Sequence, residues 1–239
     1  MKLATSITSS KIVESLGELI APTRCAGCER QGVLLCSECL VSLSCDYIPE
    51  QTCPKCAGPY GALTCTECWE IEYSFEAALA LGILDGPLAR TVVLFKDANE
   101  RRLADLFGFI LGQRIQADWG CWTHALCWIP ATKEAVRRRG FDHAELLARC
   151  VAQHLKVPAL PLLSRPHACD QRSLSRKQRL LAAQQFTCTG HTSQIPMHPR
   201  RILLIDDVFT TGATVEAASQ ALLKAGAQQV RAAVLGRAW

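Results

Sequence analysis

Residues 202–214 read Ile-Leu-Leu-Ile-Asp-Asp-Val-Phe-Thr-Thr-Gly-Ala-Thr. An apolar run, Arg201–Ile205, has the composition of a buried strand and delivers two adjacent carboxylates, Asp206 and Asp207, at its C-terminal end. A loop of small and hydroxyl residues follows and leads into a predicted helix over Thr214–Ala225, closed by Gly226. In parallel sheets, ligands bind at the C-terminal ends of the strands. Successive backbone N–H groups in such a loop, with a helix N-terminus behind them, form a cradle for an anion. Thr210, Thr211 and Thr214 add hydroxyl donors, Gly212 allows close backbone approach, and Ala213 keeps the loop small. The two carboxylates accept hydrogen bonds from a vicinal diol. Diol and phosphate at this spacing describe a ribose 5-phosphate. An Asp-Asp pair acting only as a helix cap is a poor alternative, because two carboxylates abutting an apolar strand are costly.

The second chemistry is in the cysteines. The chain has 14, nine of them between Cys25 and Cys68. Eight form four C-x-x-C pairs: Cys25/Cys28, Cys36/Cys39, Cys53/Cys56 and Cys65/Cys68. Two intervening residues let both thiolates of a tight turn face one ion, and two such turns complete a tetrahedral S4 site. Loop lengths favour two sequential Zn²⁺ ribbons, one on the first four cysteines and one on the second four. A crossed arrangement remains open. Four thiolates leave no position for water, so the zinc is expected to be structural. Cys45 falls outside the pairs, and Cys127 and Cys150 read as core thiols.

These motifs need elements to hold them. Residues 11–20 carry apolar side chains at helical spacing, ended by Pro22. Beyond the cysteines, strands are predicted over Ala77–Leu84, Leu126–Ile129, Leu160–Leu163, Arg201–Ile205 and Val230–Leu235. Helices are predicted over Leu88–Leu94, Arg101–Ile115 and His143–Leu155, the last with Asp142 as N-cap. Lys133 and the run Arg137-Arg138-Arg139-Gly140 fall in a predicted loop. Alternating strands and helices imply an α/β fold, a parallel sheet with crossover helices. The expected division is a helix plus double zinc ribbon over 1–74 and an α/β domain over 75–239.

The 202–214 segment resembles the phosphoribosyl pyrophosphate (PRPP) motif of type I phosphoribosyltransferases. Ile129-Pro130, Arg137-Arg138-Arg139-Gly140-Phe141-Asp142 and Leu146-Leu147-Ala148 further resemble the signature of the ComF/GntX family, with Lys96, Gln171, Arg179 and Phe186 at matching places. That family carries a double zinc ribbon before a phosphoribosyltransferase domain. Departures are Asp97 after the Lys, Asp142 for the usual Asn, and Ala182 after the Arg. The resemblance implies that Asp206 and Asp207 hold the ribose hydroxyls and Thr210, Thr211, Gly212, Ala213 and Thr214 the 5-phosphate. It also implies Mg²⁺ bound with PRPP, an acceptor not legible in the sequence, and a role in competence and the use of external DNA.

Formal net charge is +4, from 26 basic and 22 acidic residues, too mild by itself to announce a nucleic-acid binder. Between Pro130 and Arg200, however, twelve basic residues face four acidic ones, an excess of eight. Lys133, Arg138 and Arg139 are candidate pyrophosphate ligands. The alternative is a track for single-stranded DNA, with Trp69, Tyr73 and Phe75 stacking bases, or these aromatics simply packing between modules. A PRPP sensor without turnover, and contacts with DNA-uptake proteins, are further expectations. The six histidines show no joint metal spacing, and no dedicated general base is visible. No apolar, uncharged stretch reaches the roughly 18 residues of a membrane helix, and the first residues lack a secretory h-region. Both point to the cytoplasm.

Overall fold

A computed structural model of the chain describes residues 22–45, 51–61, 63–165, 186–188 and 200–238. The predicted helix over 11–20, the Cys45 side chain, and Gln171, Arg179 and Ala182 lie outside the described residues. Short helices α1 (Ser37–Cys45) and α2 (Thr66–Trp69) accompany the cysteine pairs. There follow β1 (Ala78–Ile83), α3 (Gly86–Asp97), α4 (Leu103–Trp119), β2 (Ala125–Trp128), α5 (Lys133–Arg139) and α6 (His143–Leu155). The chain continues with β3 (Leu163–Ser164), β4 (Thr187–Cys188), β5 (Arg201–Phe209), α7 (Ala213–Lys224) and β6 (Gln229–Arg237). Four strands form a parallel sheet in the order β1-β6-β5-β2, while β3 and β4 pair antiparallel beside it.

Residues alternate across the central strand because successive side chains of a strand point to opposite faces. Ile202 and Leu204 of β5 enter one core with Val215, Ala218 and Leu222 of α7. Leu203 and Ile205 enter the other, with Phe95 of α3, Phe107 and Leu111 of α4, and Leu147 and Val151 of α6. A sheet buried on both faces reads as continuous apolar runs, which is why Ile202–Ile205 shows no alternation.

Three expectations change. Lys133–Arg139 is a helix: Thr132 caps it by accepting from the Ala135 N–H at 3.2 Å, and Gly140 ends it at φ 78°. It buries no apolar residue, so it carries no apolar period to detect. The predicted strand Leu160–Leu163 is reduced to the Leu163–Ser164 pair and a parallel bridge from Ala159 to Leu126. Finally, β5 runs four residues past Ile205, because Asp206, Val208 and Phe209 pair with Val234, Gly236 and Arg237 of β6.

Candidate functional site

The extension of β5 decides where its carboxylates stand. On the other side β2 pairs only as far as Trp128 with Ile205, followed by one bond from the Ile129 N–H to the Ile205 carbonyl at 2.9 Å. Asp206 and Asp207 are therefore held by the ladder to β6 and lie past the end of β2. Asp207 is 4% exposed, and its Oδ2 meets Lys96 Nζ and, at 3.0 Å, His143 Nε2. Asp206 Oδ1 accepts from the Asp207 N–H at 2.9 Å.

The second nitrogen of His143 is also engaged. Arg139 Nη1 lies 3.1 Å from His143 Nδ1, and Arg139 Nη2 donates to Asp97 Oδ1 at 2.9 Å. A guanidinium offers only donors, so Nδ1 accepts and the ring proton sits on Nε2, facing Asp207. Lys96 and Asp97 are neighbours at the end of α3, so the chain of contacts Lys96–Asp207–His143–Arg139–Asp97 closes on itself. Phe95 anchors it, edge-on to Phe107, Phe141 and His143 at 5.7–6.3 Å.

This ring splits the two aspartates. Burial opposes ionisation of Asp207, but the hydrogen bond from His143 and the charge of Lys96 outweigh it and hold the carboxyl below the ordinary carboxylate range. Burial, and then the charge of Asp207, push the Asp206 carboxyl well above that range. The dyad therefore carries one firm negative charge and one carboxyl that ionises reluctantly.

Thr210, Thr211 and Gly212 form the whole connection from β5 to α7, where Gly212 at the N-cap offers no side chain and Thr211 Oγ1 accepts a 3.4 Å bond from the Ala213 N–H. Ala213 and Thr214 are its first helical residues. Arg237, 4% exposed, donates to the carbonyls of Phe209 (3.2 Å), Thr210 and Ala238, fixing the loop from beneath. Gly212 has φ 77°, and a Cβ there would lie 2.6 Å from Phe209 Cζ. Gly212→Ala should therefore cost about 3 kcal/mol from the left-handed backbone and overpacking. Differential scanning calorimetry should show Tm lower by roughly 10 °C.

Of the other expected residues, Lys133 and Arg138 lie in exposed positions on α5. Arg139 does not: its side chain is 8% exposed and engaged by Asp97 and His143. Asp142 caps α6, accepting from Ala144 and Glu145 N–H, and also from Ala131 N–H at 2.8 Å. Three backbone donors on one carboxylate account for an Asp where the related signature has Asn. Sequence reasoning missed His143. The available signal was its place directly after the Asp142 cap, four residues beyond Arg139.

The cysteines gather sequentially, Cys25/Cys28/Cys36/Cys39 and Cys53/Cys56/Cys65/Cys68, each set with ligand atoms within 4.8 Å of one another. Cys28 and Cys36 sulfurs are 3.6 Å apart, Cys56 and Cys65 sulfurs 3.7 Å. Four sulfurs about 2.3 Å from one ion would stand about 3.8 Å apart, so the clusters have the size of tetrahedral S4 zinc sites. Backbone N–H groups of Cys36 and Cys65 donate to the sulfurs of Cys25 and Cys53 at 3.3 Å, support suited to thiolates. A cavity of about 500 Å³ separates the second cluster from the loop, lined by Tyr60, Glu67, Ile71, Tyr73, Thr210 and Thr211 among others. Phe75 is buried and unable to stack a base, whereas Trp69 is 77% exposed. No helix among the described residues is long and apolar enough to cross a membrane.

A phosphoribosyl transferase domain model matches residues 142–238, which contain the α6 start, the dyad and the loop. Competence protein F of Haemophilus influenzae is 27% identical over 223 residues, covering 90% of each chain. Competence protein ComFC of Bacillus subtilis is 26% identical, covering 80% of this chain and 79% of its own. DNA utilization protein YhgH of Salmonella typhi is 26% identical, covering 75% and 81%. The fold is thus that of a phosphoribosyl transferase domain preceded by two four-cysteine clusters. Within that class, the chain is similar over most of its length to competence proteins F and ComFC.

Proposed function

We propose that this chain binds PRPP with Mg²⁺ and serves the uptake and use of external DNA in the cytoplasm. The observation that carries the ligand is the run of β5 past β2. It sets two carboxylates of unequal charge beside a three-residue loop and the N-terminus of α7, whose N-cap is Gly212. Asp206 and Asp207 would take the ribose hydroxyls, and Thr210 to Thr214 the 5-phosphate, through backbone N–H and hydroxyl donors. Lys133 and Arg138 would meet the pyrophosphate. Mg²⁺ suits this oxygen-rich setting and would neutralise charge on the departing pyrophosphate. In a transfer, the bond from C1 to pyrophosphate breaks while the acceptor bonds to C1 and releases its proton to solvent. Zn²⁺ would fill both cysteine clusters as a structural ion. The DNA role is supported by the relatives named for competence and for DNA utilization.

A second reading, a PRPP sensor, is favoured by one observation. Both nitrogens of His143 are engaged, so the histidine beside the dyad offers no lone pair to deprotonate an acceptor. Calorimetry with PRPP and Mg²⁺ should show saturable one-site binding. A screen of bases and amines for pyrophosphate release then separates transferase from sensor. Contact with single-stranded DNA would use exposed Trp69 and Tyr60 and the exposed basic residues Arg137 and Arg138.

A further inference from the structure

The two cysteine clusters stand on different ground. The first packs toward α3. Cys25, Cys36 and Cys39 form a small cluster of their own with Leu35. A Cβ on Gly27 would lie 3.2 Å from Pro87 Cβ, and Glu29 pairs with Arg90 of α3. The second belongs to the core between the sheet and α7. Cys53, Cys56, Cys65 and Cys68 share it with Phe209, Val215 and Leu222.

The chain leaving the second cluster runs directly to the loop after β5. Tyr73 lies against Phe75 with ring centroids 4.7 Å apart, and Phe75 meets Phe209 edge-on at 6.2 Å. Tyr73 Cε1 would be 3.4 Å from a Cβ on Gly212. Ser74 donates twice to Glu216, from N–H to Oε2 at 2.7 Å and from Oγ to Oε1 at 2.6 Å. Residues 73–75 thus touch the loop before it (Phe209), inside it (Gly212) and after it (Glu216). The Glu216 contact has an electrostatic consequence. This carboxylate sits in the first turn of α7, the helix end that attracts anions, where its charge would oppose an incoming phosphate. Two donors from Ser74, and a third from Gln220 Nε2 at 2.7 Å, engage its oxygens.

We infer that the second cysteine cluster, acting through Tyr73, Ser74 and Phe75, sets the conformation of the Thr210–Thr214 loop, with Ser74 as a positioning residue, and that the first cluster does not. The consequence for ligand affinity rests on the loop being the seat of the PRPP 5-phosphate.

Hydrogen exchange on the full metal-loaded chain tests this. Ser74→Ala should speed exchange of the amides in 210–216 by about tenfold, the effect of one lost hydrogen bond to a charged group. PRPP–Mg²⁺ affinity should fall by a similar factor. Ser74→Thr, which keeps the hydroxyl, should restore both. Cys28→Ser removes a ligand of the first cluster at an exposed position. It should leave exchange at 210–216 unchanged while lowering the metal content. Loop exchange at wild-type rate in Ser74→Ala, or equal acceleration in Cys28→Ser, overturns the inference. If the wild-type chain binds no PRPP, the ligand reading fails, and the exchange measurements alone still decide the brace.

Discussion

Asp206→Asn and Asp207→Asn should abolish PRPP binding alike and move stability in opposite directions. Either change removes an acceptor pair for the ribose hydroxyls, and calorimetry should show affinity reduced by at least about 100-fold, as for loss of charge-assisted bonds in a buried site. The unliganded proteins should differ. Asp207 is ionised against Lys96 and His143, so Asp207→Asn leaves two partly buried donors without their carboxylate, and Tm should fall by several degrees. Asp206 is ionised only against burial and the neighbouring charge, so Asp206→Asn relieves the fold and Tm should rise. The pH dependence has a definite sign. The penalty from Asp206 is absent below the ordinary carboxylate pKa. It grows with pH until the raised native value is passed, so the gain in Asp206→Asn vanishes in acid and is full above that value. Asp207 does the reverse, stabilising the native state at neutral pH and ceasing to do so as pH falls through its lowered native value. Equal Tm shifts from the two variants would refute the split dyad.

The second large effect concerns metal. Purified protein should hold two zinc ions per chain. Replacing Cys53 and Cys56 together with Ser should remove one and lower Tm by far more than loss of a first-cluster ligand. The reason is the core each cluster joins: Cys53 and Cys56 lie inside the one shared with α7 and β6, whereas Cys25, Cys36 and Cys39 form a small cluster of their own. The two thiols left there, Cys65 and Cys68, no longer close the core they share with α7 and β6, whereas the first cluster packs against α3. Zinc release by a mercurial reagent, followed with a metallochromic dye and circular dichroism, should show that loss from one cluster leaves the sheet intact and loss from the other unfolds it. Two equivalent releases would refute this difference.

What could be read from residues alone was the chemistry written in contiguous stretches. The C-x-x-C spacing and the run from Ile202 to Thr214 encode their sites locally, because neighbouring residues on a strand end or knuckle cannot avoid one another. The His143 ring was hidden because its members come from α3, α5, α6 and β5, and only the packing of Phe95 against Phe107, Phe141 and His143 brings them together. Arg139 looked like its neighbours in a basic run. The helical path from Thr132 to Gly140 turns Arg139 inward while Arg138 stays exposed. Asp97 counted only as a departure from a signature, yet it holds Arg139 at 2.9 Å. The end of β5 was placed too early because carboxylates are poor strand formers. The ladder to β6 overrides that preference.

The strand order also bears on how the chain is made. Among the described strands β1 pairs only with β6, and β6 begins at Gln229, almost 150 residues after β1 ends at Ile83. At 5–20 residues per second a ribosome needs roughly 7–30 s to cover that distance. Throughout that interval the Ala78–Ile83 segment, four of whose six residues are buried in the finished fold, has no sheet to join. Nascent chains of this topology therefore depend on early coverage of an apolar strand, by the neighbouring α3 and α4 or by a chaperone, and slow or crowded synthesis exposes them to strand-to-strand aggregation.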